Sequence, residues 1–393
     1  MTTERVAILH QGCVPIYRKP FFERLAKTAG REYVVFHGDP DPASGVTAAP
    51  LPYPFPNRRV SNHFFRLLGR SFAVQSALSP ILFGHYDALV VGHEIKYVTS
   101  LLLILYFRLR RRPIILWGHG NARDLEVARR SRTQKMVSRL VDSIKTRMIG
   151  WATGYMAYSS SGTAYLRQLG MPSDAVTVLL NTIDMSDEIA AYAAWQQRDR
   201  AEVRRHLGIA PDAIVFTFLG RLLPLKRAEL LPVIARRLRA EGLPVEVVIV
   251  GRGTDEEKLS AEFGAEQWFH MPGAVFDRDR LAEIMRASDA LVIPDYVGLA
   301  INHGFAHGLP TITMQSAIHG PEIEYLQPGV NGLILDSEDG LHAGLRQFAQ
   351  SAELRASLAA GALTSREQLS LDHMVQAFDG AVSRAFKRAR PAG

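Results

Sequence analysis

The chain has 393 residues, is 47% hydrophobic and contains one cysteine, Cys13, so no internal disulfide can form and a reducing cytoplasm is the expected compartment. The length and composition are typical of a globular protein of two domains. No apolar run approaches the roughly 18 residues that a membrane span requires. The N-terminal sequence leads almost directly into an apolar run, so we expect no signal peptide.

The formal net charge of +7 is unevenly distributed. Residues 1–183 contain 24 Lys and Arg against 11 Asp and Glu, whereas residues 184–393 contain 22 against 28. This asymmetry predicts that the N-terminal half faces an anionic partner, either a phospholipid surface, a lipid-phosphate acceptor or nucleic acid. A solvated basic surface is the plainer alternative. Nucleic acid is disfavoured, because the basic residues are not interleaved with aromatics and match no known reader motif.

Short apolar runs alternate with amphipathic helical runs, which predicts βαβ units and parallel sheets. The first series of strands is VAILHQ, YVVFHG, DALVVG, PIILWGHG, YMAYSS and VTVLLN, and the second is IVFTFLG, VEVVIVG, HMPG, ALVIP, TITM and GLIL. We therefore expect an α/β protein with two doubly wound, Rossmann-like domains, at residues 1–183 and 184–370. Residues 371–393 form a last helix, whose apolar stripe of Met374, Phe378, Val382 and Phe386 is expected to pack back on the first domain.

Two stretches of the first domain have open interpretations. The Pro-rich residues 48–60 predict a long loop that either contacts an acceptor through Tyr53, Phe55 and two arginines or simply connects two elements. The apolar residues 98–107 are followed by RLRRR and are too short to span a membrane. They indicate either a helix buried on the sheet, which is slightly favoured, or an interfacial helix that binds anionic headgroups.

Residues 288–310 predict the centre of the functional site. A short apolar strand is followed by a turn at Gly298 and Leu299 and then by a helical segment. Backbone N–H groups at such a helix start attract anions, and a glycine lets a phosphate approach the main chain. Asp295 and His303 flank the turn, at the strand end where open α/β sheets bind ligands.

Three further turns carry candidate donor-site residues. Gly220 is followed by Arg221 and Lys226, two cations that can converge on a diphosphate; two ordinary surface cations are the alternative. Gly251 marks a strand–helix turn that matches a dinucleotide-binding sequence only weakly. Glu322 follows another glycine turn, and it is placed to bind a ribose or sugar hydroxyl or to favour a helix start.

In the first domain, Gly12 follows the first strand and His119 follows the PIILWG strand. A histidine at a strand end can bind a sugar hydroxyl or assist a proton transfer. Thirteen histidines are present, so His119 is distinguished only by its position. The sequence has no Ser/His/Asp elbow, no cysteine metal spacing and no Walker sequence, and we expect neither a metal nor a cofactor.

The ordered blocks LGRLLPLKR, VVIVGRG, ASDALVIPDYVGLAINHGFAHGLPTI and HGPEIEYLQPGVNGLIL, at about residues 214–336, resemble the retaining GT-B glycosyltransferases of family 4 (glycosyl transferases group 1). LHQGCVPIYR, LWGHG and LLNTIDM match the family's first domain more loosely. The family's Glu-x7-Glu acid pair aligns with Asp295 and His303, and its Phe before the glycine aligns with Val297.

The resemblance implies two facing Rossmann-like domains with an interdomain cleft, the first domain binding the acceptor and the second a nucleotide-diphosphate sugar. It assigns Arg221, Lys226 and the amides after Gly298 to the diphosphate, and Asp295 to sugar hydroxyls. His303 and Glu322 are assigned to ribose, and His119 to the sugar or acceptor. Retaining members use front-face displacement, in which the leaving phosphate helps to take the acceptor proton.

The leading hypothesis is a cytoplasmic, membrane-peripheral glycosyltransferase that builds a surface polysaccharide on a lipid-linked or oligosaccharide acceptor. A nucleotide-sugar epimerase with the same architecture is the alternative within enzymes. A degenerate fold that binds a sugar or partner without turnover is the alternative outside them, and the Asp295 and His303 replacements motivate it.

Overall fold

The computed structural model describes residues 3–10, 12–42, 46–67, 70–120 and 132–389, without the side chains of Arg70 and of residues 132–138. The chain divides into two compact units. The first unit contains residues 1–183 and 371–393, and the second contains residues 184–370. These bounds coincide with those expected from the alternation of strands and helices.

The described part of the first unit contains a parallel seven-stranded sheet with the order β3-β2-β1-β6-β7-β8-β9 and a separate antiparallel hairpin, β4-β5. Its strands are β1 (Glu4–Leu9), β2 (Arg31–His37), β3 (Asn57–Arg59), β4 (Asn62–Leu67), β5 (Arg70–Gln75), β6 (Ala88–Gly92), β7 (Ile114–Gly118), β8 (Gly154–Ala157) and β9 (Val176–Val178). Its first helices are α1 (Lys19–Leu25), α2 (Leu78–Leu82), α3 (Val98–Leu109), α4 (Arg132–Trp151) and α5 (Ser161–Gln168). β6 and β7 are buried along their whole length, as expected for parallel strands covered on both faces.

The hairpin and the edge strand β3 were not predicted from the sequence. All three residues of β3 are exposed, so this strand carries no apolar signal. The Pro-rich loop before β3 packs two aromatic side chains into the unit: Tyr53 and Phe55 are buried, and their rings stack with centroids 5.2 Å apart. These aromatic side chains belong to the core of the first unit, whereas Arg58 and Arg59 are exposed, so a contact of this loop with an acceptor stays a prediction.

Residues 98–107 lie in the helix α3, which has one buried and one exposed apolar face. Leu103, Ile104 and Phe107 are buried in the core of the first unit. Leu102, Leu105 and Leu109 are 45–75% exposed, and we call these three residues the α3 apolar face. No helix within the described ranges is long and apolar enough to cross a bilayer.

The described part of the second unit is built on a parallel six-stranded sheet with the order β12-β11-β10-β13-β14-β15. Its strands are β10 (Ile214–Leu219), β11 (Val245–Val250), β12 (Phe269–Gly273), β13 (Ala290–Val292), β14 (Thr311–Met314) and β15 (Gly332–Leu335). Its helices are α6 (Ser186–Gln196), α7 (Arg200–His206), α8 (Leu230–Ala240), α9 (Glu256–Phe263), α10 (Arg278–Ala287), α11 (Ala300–Ala306), α12 (Glu338–Gln350) and α13 (Ala352–Gln368). The order reverses between β10 and β13, as in doubly wound folds.

The last helix, α14 (Leu371–Ala389), belongs to the first unit. Its stripe of four apolar residues is buried there, as expected from their i, i+4 spacing. Phe378 is fully buried and its ring lies 5.3–5.8 Å from the rings of Phe21, Tyr33 and Trp117. The helix is therefore a structural part of the first unit's core.

Replacing Phe378 with Ala should destabilise the first unit by about 3–5 kcal/mol, because the change removes a fully buried ring and leaves a cavity. Urea unfolding measures the loss, and hydrogen exchange of the β7 and β8 amides assigns it to this unit. Phe83→Ala is the control, since Phe83 is 76% exposed and its loss should change the stability by no more than about 0.5 kcal/mol. Equal effects of the two changes would contradict this account of α14.

Candidate functional site

The candidate site lies at the carboxyl ends of β10 and β13, the two strands between which the sheet order reverses. β10 pairs with β13 in parallel, with Phe216 opposite Ala290. The turn that follows β10 carries Arg221 and Lys226, and the segment that follows β13 carries Asp295. Ligands of open α/β sheets bind at such a switch point, so the topology brings the predicted residues to the favoured place.

The glycines at these strand ends let two backbones approach closely. The Gly220 N–H donates to the Val250 carbonyl at 3.0 Å, and the Gly251 N–H donates to the Gly273 carbonyl at 2.9 Å. Gly251 has a φ of +154°, and a Cβ there would lie 1.8 Å from the Gly220 carbonyl oxygen. Gly251 is thus required by packing, and its predicted part in donor binding stays a prediction.

Lys226 ties the turn after β10 to the segment after β13. Its side chain is buried, and its ammonium donates to the Tyr296 carbonyl at 3.0 Å. In the opposite direction, the Asp295 N–H donates to the Lys226 carbonyl at 3.2 Å. These two bonds fix the ammonium of Lys226 close to the backbone of the second strand end.

The charges around Lys226 show which predicted residues lie together. Burial is the main reason why the pKa of Lys226 falls to about 8, and the positive charge of Arg221 lowers it further. Glu322 and Asp295 act in the opposite direction and raise it. The structure therefore groups two cations and two carboxylates that the sequence places on three separate turns, and Arg221 is the exposed member of the cation pair.

Glu322 reaches this group because the turn that carries it folds against Gly298. A Cβ added at Gly320 would lie 2.4 Å from a Glu322 carboxylate oxygen and 3.5 Å from the Gly298 Cα. At Gly298 itself an added Cβ would meet no atom within 4 Å. The surface in front of Gly298 is open, as a close approach of a ligand to the backbone requires.

His319 is a positioning residue that the sequence analysis missed. Its Nδ1 accepts the Val297 N–H at 3.0 Å, and its Nε2 donates to the Met314 carbonyl at 2.8 Å. Burial lowers the pKa of His319, so the ring stays neutral at pH 7 and keeps this tautomer. It holds the Gly298 turn to the end of β14. The only sequence signal was its place beside Gly320 in a turn.

Leu299 and His303 lie on the chain that leaves the Gly298 turn. Leu299 is half-buried and precedes the first residue of α11. The imidazole of His303 faces Glu188 of α6, with its Nδ1 2.8 Å from each carboxylate oxygen. The structure thus gives His303 a carboxylate partner that the sequence did not suggest, 115 residues away along the chain.

Gly12, in the first unit, has internal partners for both of its backbone polar groups. Its N–H donates to the Tyr97 hydroxyl at 2.9 Å, and its carbonyl accepts the Gly38 N–H at 2.6 Å. The glycine is buried beneath these contacts. Any role of Gly12 in donor binding remains a prediction.

His119 follows β7 and its ring lies 5.1 Å from the ring of Tyr158. The residue is exposed by surface area, yet the protein packed around the imidazole lowers its pKa, and the Lys145 charge lowers it further. A neutral ring at pH 7 can accept a proton or a hydroxyl hydrogen. Its neighbour Tyr158 also bonds the buried His10 at 2.7 Å, so this strand end is polar.

Within the described ranges, no group of three or more His, Cys, Asp or Glu residues is arranged to hold a metal ion. The polar groups that the structure does bring together at the switch point are suited to binding a ligand with both negative charge and hydroxyls. Cations stabilise the charge, and carboxylates accept hydrogen bonds from the hydroxyls.

Residues 199–364, all within the second unit, match the family model described as Glycosyl transferases group 1. The match covers most of the second unit and less than half of the chain. The D-inositol 3-phosphate glycosyltransferase of Stackebrandtia nassauensis is 33% identical over 210 residues, which cover 48% of this chain and 46% of that protein. The chain spans about half the length of the curated relatives it matches.

Solved structures cover nearly the whole chain. HepE of Anabaena in complex with UDP has a TM-score of 0.65 and 16% identity, and the match covers 97% of this chain and 99% of that one. WaaG, a glycosyltransferase involved in lipopolysaccharide biosynthesis, has a TM-score of 0.66 and 17% identity, with coverage of 96% and 99%. These likenesses confirm the predicted fold class, an α/β GT-B fold of two Rossmann-like domains.

The pKa of Lys226 should respond to its neighbours in opposite directions. NMR titration of the Lys226 side chain should give a midpoint near 8 in the free protein. Arg221→Gln should raise the midpoint, because it removes a positive charge, and Glu322→Gln should lower it, because it removes a negative one. Arg205→Gln, an exposed change on α7, is the control and should leave it in place. If neither Arg221→Gln nor Glu322→Gln shifts the midpoint, these charges are not grouped around Lys226.

Proposed function

We propose that this protein is a retaining glycosyltransferase of family 4 that moves a sugar from a nucleotide-diphosphate sugar to a glycan acceptor. The observation that carries the proposal is the Arg221–Lys226 pair at the switch point, beside the open backbone of Gly298. The match of the second unit to glycosyl transferases group 1 supports it. So does the UDP bound by HepE, a protein of the same fold.

The cation pair is suited to the leaving group of this reaction. Negative charge develops on the diphosphate as the sugar bond breaks, and fixed cations stabilise that charge without having to reorganise. Lys226 is buried and carries a depressed pKa in the free protein, so an added anion raises this pKa and restores the stability of the charged form. Arg221 is exposed and offers a planar fork that can bind two phosphate oxygens.

We assign the remaining predicted residues to the sugar and the ribose. In this proposal Asp295 binds sugar hydroxyls, Glu322 and His303 bind the ribose, and the leaving phosphate assists removal of the acceptor proton. His119 binds the sugar or the acceptor from the first unit. No metal or other cofactor takes part in this scheme.

Arg221→Ala and Lys226→Ala should each weaken binding of a UDP-, GDP- or ADP-sugar, whichever one stabilises the wild type. Each lost charge-assisted hydrogen bond is worth about 1.5–3 kcal/mol, which corresponds to a roughly ten- to hundredfold weaker affinity. Thermal shift and calorimetry measure binding, and incorporation of radiolabelled sugar measures transfer. Lys258→Ala, an exposed cation on α9, is the matched control and should behave as wild type. Unchanged affinity and transfer in both site variants would refute the proposed grip on the diphosphate.

The same assay separates the competing functions. A transferase fixes labelled sugar on an acceptor, whereas an epimerase converts the nucleotide sugar and transfers nothing. A protein that only binds a sugar or a partner would be stabilised by the nucleotide sugar without hydrolysing or transferring it. The solved structures share less than a fifth of their residues with this chain, so the fold by itself favours none of the three.

We further propose that the acceptor is lipid-linked and that the first unit binds the anionic inner face of the cell membrane during surface polysaccharide biosynthesis. Residues 1–183 carry the excess of positive charge. The α3 apolar face repeats at i, i+3 and i+7 and is followed directly by the exposed Arg110 and Arg111. An apolar helix face with a basic end is typical of interfacial helices. The D-inositol 3-phosphate glycosyltransferases offer a second acceptor, a phosphorylated inositol, which also suits a basic domain.

Binding to anionic vesicles should depend on both parts of this surface. Arg110→Gln with Arg111→Gln should weaken binding by about 2 kcal/mol, or roughly thirtyfold, since each arginine near an anionic leaflet contributes about 1 kcal/mol. Leu105→Ser with Leu109→Ser should also weaken it. Co-sedimentation with phosphatidylserine-containing and neutral vesicles measures the effect. Arg236→Gln with Arg237→Gln, two exposed arginines of α8, is the control. If the wild-type protein does not bind anionic vesicles, the membrane proposal is wrong while the transferase proposal stands.

A further inference from the structure

A buried carboxylate lies under the helix that follows the Gly298 turn. Glu188 is 6% exposed and projects from α6 toward α11, against which α6 packs. His303 Nδ1 lies 2.8 Å from each of its carboxylate oxygens, and His307 Nε2 lies 3.7 Å from one of them. The two histidines are one helical turn apart and so share a face of α11. The result is a cluster of one acid and two imidazoles.

The carboxylate is held ionised by its neighbours. Burial acts to raise the pKa of Glu188, but the charge and hydrogen bond of His303 and the weaker contribution of His307 bring it to about 2. An ionised carboxylate only accepts hydrogen bonds. The bond at 2.8 Å therefore places a proton on His303 Nδ1.

A proton fixed on Nδ1 determines what the other ring nitrogen does. With Nδ1 protonated, Nε2 accepts a hydrogen bond when the ring is neutral and donates one when the ring is charged, so it can bond a hydroxyl in either state. The His303 side chain is 29% exposed, whereas the His307 side chain beneath it is 2% exposed. His303 is thus the member of the cluster that a ligand can reach.

We propose that Glu188 is a positioning residue that holds His303 through its Nδ1–H and so presents Nε2 to a hydroxyl of the nucleotide-sugar donor. The inference rests on the proposed function, because it requires that a donor binds beside the Gly298 turn. His303 lies four residues beyond Leu299, on the helix that begins at this turn. The pair supplies a hydrogen-bonding nitrogen at this position.

Another histidine that pairs with a buried glutamate in the same unit, His206, provides a matched control. His206 Nδ1 bonds Glu283 Oε1 at 2.5 Å, with the carboxylate side chain 7% exposed, as in the Glu188 pair. His206 is 73% exposed on α7, far in sequence from the predicted site. Glu283 variants therefore report what the loss of a His–Glu pair does to the second unit in general.

The first test measures the tautomer directly. Nitrogen NMR of His303 in the full-length protein should show Nδ1 protonated in wild type and in Glu188→Gln, whose amide oxygen still accepts the bond. In Glu188→Leu the ring should lose this fixed tautomer. A wild-type ring protonated on Nε2 when neutral would overturn the proposal, and this measurement does not depend on any ligand.

The second test measures the consequence for the donor. Glu188→Leu should raise the dissociation constant or KM for the stabilising nucleotide sugar roughly three- to tenfold, the range expected for one neutral hydrogen bond, and leave kcat within about twofold. Glu188→Gln should stay near wild type, and His303→Gln, which carries its own acceptor, should restore affinity in the Glu188→Leu background. Glu283→Gln and Glu283→Leu should leave the affinity unchanged.

The outcomes separate the two proposals. If wild type binds a nucleotide sugar and Glu188→Leu binds it equally well, the role of Glu188 is refuted and the transferase proposal stands. If no nucleotide sugar binds wild type, the role of Glu188 and the transferase proposal are both refuted. Should Glu188→Leu unfold, which circular dichroism shows, the tautomer in wild type and the affinities of Glu188→Gln and His303→Gln decide the matter. Loss of affinity in His303→Gln alone, without change in Glu188→Gln, would count against the proposed hydrogen bond of Nε2.

Discussion

A buried ammonium beside the end of a central strand organises the second unit's candidate site. The depressed pKa of Lys226 corresponds to roughly 3 kcal/mol against its charged form, so the protein must hold this cation in place with specific contacts. The Tyr296 carbonyl and the carboxylates of Asp295 and Glu322 provide that support. Because these groups come from three different turns, the position of Lys226 fixes those turns relative to one another.

Contacts to the backbone elsewhere in the second unit support the position of Lys226 and its neighbours. Gly251 allows the chain after β11 to lie against the Gly220 carbonyl, and His319 clamps the Gly298 turn to β14. Neither residue has to touch a ligand to matter. A rigid frame of this kind lets an exposed group such as Arg221 and an open backbone at Gly298 face a ligand without rearrangement, which is the condition for electrostatic stabilisation of a leaving group.

Much of this was accessible from the sequence, because strand ends in a doubly wound fold can be located by pattern. The apolar run Ala290–Ile293 and the glycine after IVFTFL were enough to place Asp295 and Arg221 at the same edge of a sheet. What the pattern could not give were contacts between distant segments. Glu188 lies in the first turn of α6, where an acidic residue is common. Nothing in the sequence links it to His303. Likewise β3 and the β4–β5 hairpin were missed, since exposed strands carry no apolar alternation.

The position of α14 has a consequence for how the protein is made. The second unit is inserted, in chain order, between the body of the first unit and the helix that completes its core. During translation, Phe378 can pack against Phe21 and Trp117 only after the whole second unit has been synthesised. The nascent protein therefore carries an uncovered aromatic surface while residues 184–370 are translated.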